Sequence, residues 1–336
     1  MFSPDFVSCQ YKCWGMFPRV ESPLVAVVVF VNPGSRANRR DPGCAARFAK
    51  ILGAAGNVVA PANLEELAQE ARRTAAASPT VIGVHGGDGT LHRTLSALLA
   101  AYRPRPLPPI AILPGGTMNV VASSLDLRAR PETVLAELAA SERAAAKPTT
   151  LRRHCLRVGD DYGFIFGNGL LANFLEEYYA RGRYGAARAV WVIFRILVSL
   201  LTTGRYARRV FRRFRGRVEV DGTLLPRTNL TGVGAATVTE VGFRFKLHHR
   251  ADDDPERMGG LAIHGGPLSL LLDVLGVRLG RGLSPKRAES FVASRVVLTP
   301  EDAESTYTLD GDLYVARGPL AVELGPVVEI VKPRAS

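Results

Sequence analysis

The stretch TVIGVHGGDGT, residues 80–90, decides how the chain is read. Residues 80–84 form a short, largely β-branched run, the composition of a buried strand. Three glycines follow within four positions, and helical periodicity begins at Leu91 and runs to Tyr102. This is a strand, a tight glycine turn and a helix in succession. Glycines Gly86, Gly87 and Gly89 let the backbone turn sharply and bring N–H groups close to phosphate oxygens. The following helix adds the positive end of its dipole. Asp88, held among those amides, is suited to orient Mg²⁺ or a hydroxyl. Taken alone, the same residues also describe a plain turn with a capping aspartate.

Upstream, residues 24–31 (LVAVVVFV) are an unbroken apolar run that suits a strand buried on both faces of a parallel sheet. The turn Asn32-Pro33-Gly34-Ser35 stops it, and residues 41–52 read as a helix. A second short strand is expected over 57–60. Asn63 is placed to cap a helix over 64–77, with Glu65 and Glu66 in its first turn. Downstream, residues 110–113 read as a fourth strand, followed by Pro114-Gly115-Gly116-Thr117-Met118-Asn119 and a helix over 118–124. Alternating strands and helices imply βαβ units with right-handed crossovers. The three turns then lie on one carboxyl edge of a parallel sheet, where open α/β proteins bind ligands.

After Lys147-Pro148 the pattern changes. Short strands are expected over 151–158, 162–166, 218–220, 229–238, 243–246, 295–298, 307–309 and 327–331, joined by Asp-Gly and glycine-rich turns. A helical insertion at 171–203 and a shorter helix at 268–277 interrupt them. The fold class is therefore an α/β nucleotide-binding domain with a parallel sheet, followed by an antiparallel β-rich domain, with the active site between the two. The expected division is a loose tail at 1–20, an α/β domain at 21–147 and a β-rich domain at 148–333. No internal repeat is evident, and Met1 and Met16 both remain open as the start.

At 336 residues, 47% hydrophobic and 22% charged, the chain can bury a sizeable core and is not disordered throughout. No run of about 18 apolar residues is free of charge, which argues against a conventional transmembrane helix. Cys9, Cys13, Cys44 and Cys155 complete no zinc spacing and fit a reduced, cytosolic chain. The first 20 residues lack the basic and apolar regions of a secretory signal. The net charge of +12 is concentrated: residues 181–217 hold 11 arginines and no acid. Such a segment implies an anionic partner, either a membrane surface or nucleic acid, unless it is simply a solvated face.

These motifs resemble the diacylglycerol kinase catalytic-domain superfamily, which includes bacterial lipid kinases and sphingosine and ceramide kinases. Asn32-Pro33, Gly86 to Thr90, and Pro114-Gly115-Gly116-Thr117 with Asn119 are similar to its three nucleotide-binding turns. Leu309-Asp310-Gly311-Asp312 is similar to its C-terminal Asp-Gly-Glu element, although read alone Asp-Gly is a hairpin signal. The resemblance implies an ATP- and Mg²⁺-dependent kinase acting on a lipid hydroxyl. It implies that Asn32, Gly86, Gly87, Asp88, Gly89, Thr90, Gly115, Gly116, Thr117 and Asn119 serve the nucleotide. Asp312 would be the proton acceptor, and Asp88 would assist or act through the metal. Asp88 and Asp310 are both candidate metal ligands.

Four departures stand out. His92 and Arg93 replace an Asn-Glu pair, Asn119 is followed by Val120, and the base is Asp312 rather than glutamate. The family's metal-associated Asp-Gly before leucine appears as Gly259-Gly260-Leu261, with Asp252, Asp253 and Asp254 nearby as either a substitute or a solvated loop.

On a helix, Arg181, Arg188 and Arg195 share a face, and Arg205, Arg208, Arg209, Arg212, Arg213, Arg215 and Arg217 follow. Arginines beside an apolar flank suit a lipid interface, and equally a helix packed on the β domain. The expectation is a cytoplasmic kinase, peripherally bound to the inner membrane face through 181–217. Its acceptor would be a diacylglycerol, ceramide or sphingoid-type lipid. No nucleic-acid partner is expected, because no helix-turn-helix or stacking pattern accompanies the arginines. A homodimer stays open. The rivals are a lipid-binding protein on a decayed kinase scaffold and an NAD kinase, whose later dinucleotide-reading element is not found here.

Overall fold

The computed structural model describes residues 26–180, 186–202 and 204–334. The tail at 1–20, with Cys9, Cys13 and Met16, and the positions Arg181, Arg183 and Tyr184 lie outside the described residues.

The N-terminal part alternates strands and helices. It comprises β1 (Val27–Val31), α1 (Arg36–Arg40), α2 (Cys44–Leu52), β2 (Gly56–Val59), α3 (Leu64–Ala77), β3 (Val81–Gly86) and α4 (Asp88–Tyr102). Then come β4 (Ile110–Pro114), α5 (Val120–Ser124) and α6 (Pro131–Arg143). Strands β1 to β4 pair parallel, in the spatial order β4-β3-β1-β2. Their unbroken apolar runs are explained by helices on both faces. Val28, Phe30, Ile82, Val84 and Ile110 point to one side, against Leu67 and Ala71 of α3 and Leu95 and Leu98 of α4. Val27, Val29, Val31, Val81 and Leu113 point to the other, against Phe48 and Leu52 of α2 and Leu135 and Leu138 of α6. Burying each such side chain contributes about 1.5–3 kcal/mol. Asn63 caps α3 as expected, accepting from the N–H of Glu66 at 2.9 Å. Glu66 reaches back to the N–H of Ala62 at 2.9 Å, which completes a reciprocal cap.

The chain leaves β1 to one side for β2 and to the other for β3. The order therefore reverses between β1 and β3, and their carboxyl ends open a crevice at that point.

The remaining strands are β5 (Thr150–Val158), β6 (Asp161–Gly163), β7 (Ile165–Gly169), β8 (Phe214–Val220), β9 (Thr223–Leu224), β10 (Asn229–Leu230) and β11 (Gly232–Ala236). They continue as β12 (Met258–Ile263), β13 (Ala288–Ala293), β14 (Arg295–Pro300), β15 (Ser305–Leu309), β16 (Asp312–Ala316) and β17 (Leu320–Val331). Helices α7 (Leu170–Tyr179), α8 (Ala186–Leu201), α9 (Arg205–Val210), α10 (Pro267–Leu271) and α11 (Val274–Arg278) interrupt them. A separate antiparallel sheet has the order β13-β12-β11-β7-β15-β16. The last strand, β17, returns to the N-terminal sheet, pairing parallel with β4 through Ile330 and Ile110 and antiparallel with β5 and β14.

Several local expectations are corrected. Residues 243–246 are a turn rather than a strand, because Phe243 and Arg244 adopt φ of 49° and 60°. Residues 41–52 divide into a loop and α2, with α1 as an extra short helix before them, capped by Ser35. Helix α6 and strands β12, β13 and β16 were not anticipated. The MGGLAI sequence of β12 carries no apolar alternation, yet all six residues are buried.

Candidate active site

Asn32 follows β1 and stitches the first turn to the glycine loop. Its Nδ2 donates to Thr90 Oγ1 at 2.8 Å, while its Oδ1 accepts from the N–H of Gly34 at 2.8 Å. The glycines are needed for close approach. A β-carbon on Gly86 would meet Thr90 Oγ1 at 2.4 Å, and one on Gly115 would meet the His85 ring at 2.6 Å. The two loops touch backbone to backbone, since a β-carbon on Gly116 would stand 2.3 Å from Cα of Gly87. Asn119, at φ 47°, folds over the second loop and accepts from the N–H of Gly116 at 2.8 Å.

Asp88 opens α4, and its carboxylate accepts from the N–H of Val121 at 3.1 Å. Desolvation pushes its carboxyl above the usual range, against the pull of the Val120 and Val121 amides.

The Leu309-to-Asp312 element is the two-residue hairpin turn that joins β15 to β16, with Asp310 and Gly311 at φ 48° and 90°. Its two acids point to different partners. Asp310 is buried, and its carboxyl accepts from the N–H groups of Phe164 at 3.0 Å and Ile165 at 2.8 Å. Burial drives its pKa well up, opposed by those amides and reinforced by the charges of Asp88 and Asp312. Asp312 crosses to the glycine loop: its Oδ1 lies 2.8 Å from where a β-carbon of Gly89 would be. Its Oδ2 accepts from Nε of Arg93 at 2.8 Å.

A cleft of about 650 Å³ opens over these groups. Asn32, Gly87, Asp88, Gly89, Thr90, Gly116, Thr117, Asp310 and Asp312 line it. Gly86, Gly115 and Asn119 do not; they shape the loops from behind. Phe30, Pro61 and Leu64 form one apolar end, and Leu171, Phe174, Leu175 and Tyr178 of α7 form another, joined by Ala189 of α8.

The sequence reading missed the use made of the two replaced residues. Arg93 lines the cleft, pairs with Asp312, and lies over the Tyr314 ring at 4.9 Å. His92 is fully buried between the Tyr162 carbonyl, 2.7 Å from its Nδ1, and the Tyr314 hydroxyl at its Nε2. Arg36 and Arg39 of α1 also line the cleft and were not singled out. The family departure at these positions was the signal; the partners 219 and 222 residues away were not.

The missing acid at Gly259-Gly260 has a steric reason. A β-carbon on Gly259 would stand 2.5 Å from the Ala251 nitrogen, and one on Gly260 would stand 2.0 Å from the Phe291 ring. Asp252 pairs with Arg153 and Asp253 with Arg250, so that run is a solvated loop away from the cleft.

The site thus consists of glycine turns on the carboxyl edge of a parallel sheet, met by an acidic hairpin from a second sheet. Residues 26–150 match the family model described as diacylglycerol kinase catalytic domain. The whole fold is similar to two crystal structures from Bacillus anthracis str. Sterne. One, described as a "putative diacylglycerol kinase", is 15% identical with a TM-score of 0.69; the match covers 93% of this chain and 98% of that one. The other, described as a diacylglycerol kinase, is also 15% identical, with a TM-score of 0.62 and the same coverage. No curated protein matches the sequence.

Proposed function

We propose that the chain is an ATP-dependent lipid kinase that transfers the γ-phosphoryl group to a hydroxyl of a diacylglycerol, ceramide or sphingoid-type lipid at a membrane surface. The observation that carries this reading is the contact of Asp312 with Gly89. It sets a carboxylate from the second sheet beside the loop whose amides suit phosphate oxygens. Phosphoryl transfer needs little beyond positioning, charge neutralisation and one proton acceptor near the attacking oxygen. In this reading Gly87, Gly89, Thr90, Gly116 and Thr117 cradle the phosphates, and the apolar end at Phe30 and Leu64 takes the base. The other apolar end, at α7, takes the acyl chains. Asp312 accepts the hydroxyl proton, and Arg93 holds Oδ2 so that the carboxylate keeps one orientation.

Mg²⁺ fits this site in one form. The described residues contain no group of three or more His, Cys, Asp or Glu side chains able to hold a metal. Mg²⁺ bound to nucleotide phosphates commonly needs only one or two carboxylates. Asp88 and Asp310 both line the cleft and both receive backbone N–H groups, and either would serve as that carboxylate. The ion would neutralise charge on the transferred group.

Membrane docking rests on residues 186–217. No helix among the described residues is long and apolar enough to cross a membrane. Helix α8 packs inward through Ala189 and Val192 and leaves Val190, Trp191, Phe194 and Leu201 exposed. Arg188 donates to the carbonyls of Glu177 and Tyr178, and Arg195 covers the Tyr206 ring at 4.1 Å. These two arginines serve packing, Arg209 pairs with Glu177 and Arg213 donates to the His264 carbonyl, and in this reading the exposed Arg212, Arg215 and Arg217 face an anionic surface, at about 1 kcal/mol each.

The test is incubation with labelled ATP, Mg²⁺ and a lipid panel that includes NAD as a competing acceptor. Label on a lipid supports the reading. Label on NAD instead, or nucleotide binding without any product, would replace it with one of the rivals.

A further inference from the structure

Helices α10 and α11 carry two apolar faces where a surface helix needs one. Leu270 and Val277 turn inward, 7% and 5% exposed, onto a cluster with Leu247, Leu261 and Ile263. A second stripe points to solvent: Leu268, Leu272, Leu275 and Leu279 are 64%, 74%, 76% and 69% exposed, with Leu271 beside them at 42%. They lie on two consecutive short helices and on the turn between and after them. Single exposed leucines need no explanation, but five within twelve residues form a patch that does.

The charge around the patch is mainly positive. Residues 264–288 hold Arg278, Arg281, Lys286 and Arg287 against a single acid, Asp273. That acid is already engaged, by Arg287 at 2.6 Å and the N–H of Ser284 at 3.0 Å. The patch also adjoins the cleft, because Leu171 and Val241 pack on the cluster under α10 and line the cleft as well.

We propose that residues 267–279 seat in the headgroup layer of an anionic bilayer, with the leucines inserted and the cations at phosphate level. This would hold the acyl end of the cleft toward the lipid. A second copy of the chain fits less well, since a two-fold pairing would bring the same cations together. The proposal takes its purpose from the lipid-kinase reading, but its test needs no turnover. It is also separable from docking by the arginines of 205–217, because apolar insertion is not screened by salt whereas surface charge is.

The experiment uses the full chain and vesicles of phosphatidylcholine with phosphatidylglycerol. Leu272→Ser with Leu275→Ser, both at exposed positions, should lower the partition coefficient at least tenfold, at low salt and in about 0.5 M NaCl alike. Tenfold corresponds to about 1.4 kcal/mol. Replacing Arg208, Arg209, Arg212 and Arg213 by glutamine should weaken binding at low salt only. Leu275→Trp should bind as the wild type does and shift its emission to the blue on vesicles. Unchanged cosedimentation of the serine variant would overturn the proposal. So would loss of self-association in sedimentation velocity with vesicle binding intact, which would make the patch a dimer contact. If the serine variant loses vesicle binding while the wild type phosphorylates no lipid, the docking surface stands and the kinase reading falls.

Discussion

Nε of Arg93 donates to Oδ2 of Asp312 over 2.8 Å, joining the helix after the glycine loop to the first strand beyond the acidic hairpin. Both side chains are about one-third exposed, so the pair is worth little as a stability contact. Its consequence is geometric. One carboxylate oxygen is fixed by the guanidinium and the other is left against Gly89, toward the phosphate loop.

Arg93→Ala should therefore act on turnover rather than on nucleotide binding. We expect kcat to fall by about tenfold to a hundredfold, the scale of a misplaced reacting group. Stability should change by less than about 1 kcal/mol. ATP affinity measured by calorimetry should stay within about twofold, and Arg93→Lys should restore part of kcat without the planar fork. A loss confined to ATP affinity would assign Arg93 to the phosphates instead.

The two glycine loops set a ranking. Alanine at Gly116 brings its β-carbon 2.3 Å from a backbone atom of Gly87, whereas alanine at Gly87 meets Cα of Gly116 at 3.2 Å. The first contact forces the loops apart; the second asks for a few tenths of an ångström. Gly116→Ala should cost about 1–3 kcal/mol in stability and most of the ATP affinity. Gly87→Ala should be the milder of the two. Equal effects in a paired titration would show that loop contact does not shape the nucleotide site.

Asp310 predicts a pH dependence. Its raised pKa means that the native state keeps a proton which the unfolded chain releases above the ordinary carboxyl value of 3.8. Stability contributed by this group therefore falls as pH rises from that value through the raised one. Asp310→Asn removes the titration, and asparagine tolerates the left-handed backbone at this position. Urea unfolding from about pH 4 to about pH 8 should show the wild type losing ground against the variant as pH rises. A pH-independent difference would mean that Asp310 is ionised in the native state.

What could be read in the sequence follows from which interactions are local. The run of β1 is apolar throughout and that of β3 is apolar up to Val84 because helices cover both faces, and the glycine turns declare themselves by composition. Asn63 and the Asp310-Gly311 turn are equally local signals. Strand β12 was hidden because Gly259 and Gly260 yield their side-chain space to Ala251 and Phe291. The return of β17 to β4, and the reach of Arg93 to Asp312, are pairings across more than two hundred residues that no periodicity records.

The most direct test of the account is the Asp312→Asn variant assayed for phosphoryl transfer to a lipid hydroxyl, with ATP affinity measured alongside. Asparagine keeps the shape and can still receive the Arg93 hydrogen bond, but it cannot take up a proton at neutral pH. The account predicts a fall in kcat of about 10²–10⁴ with ATP binding nearly unchanged. Turnover close to wild type would contradict it, remove Asp312 from the proton-accepting role and turn attention to Asp88.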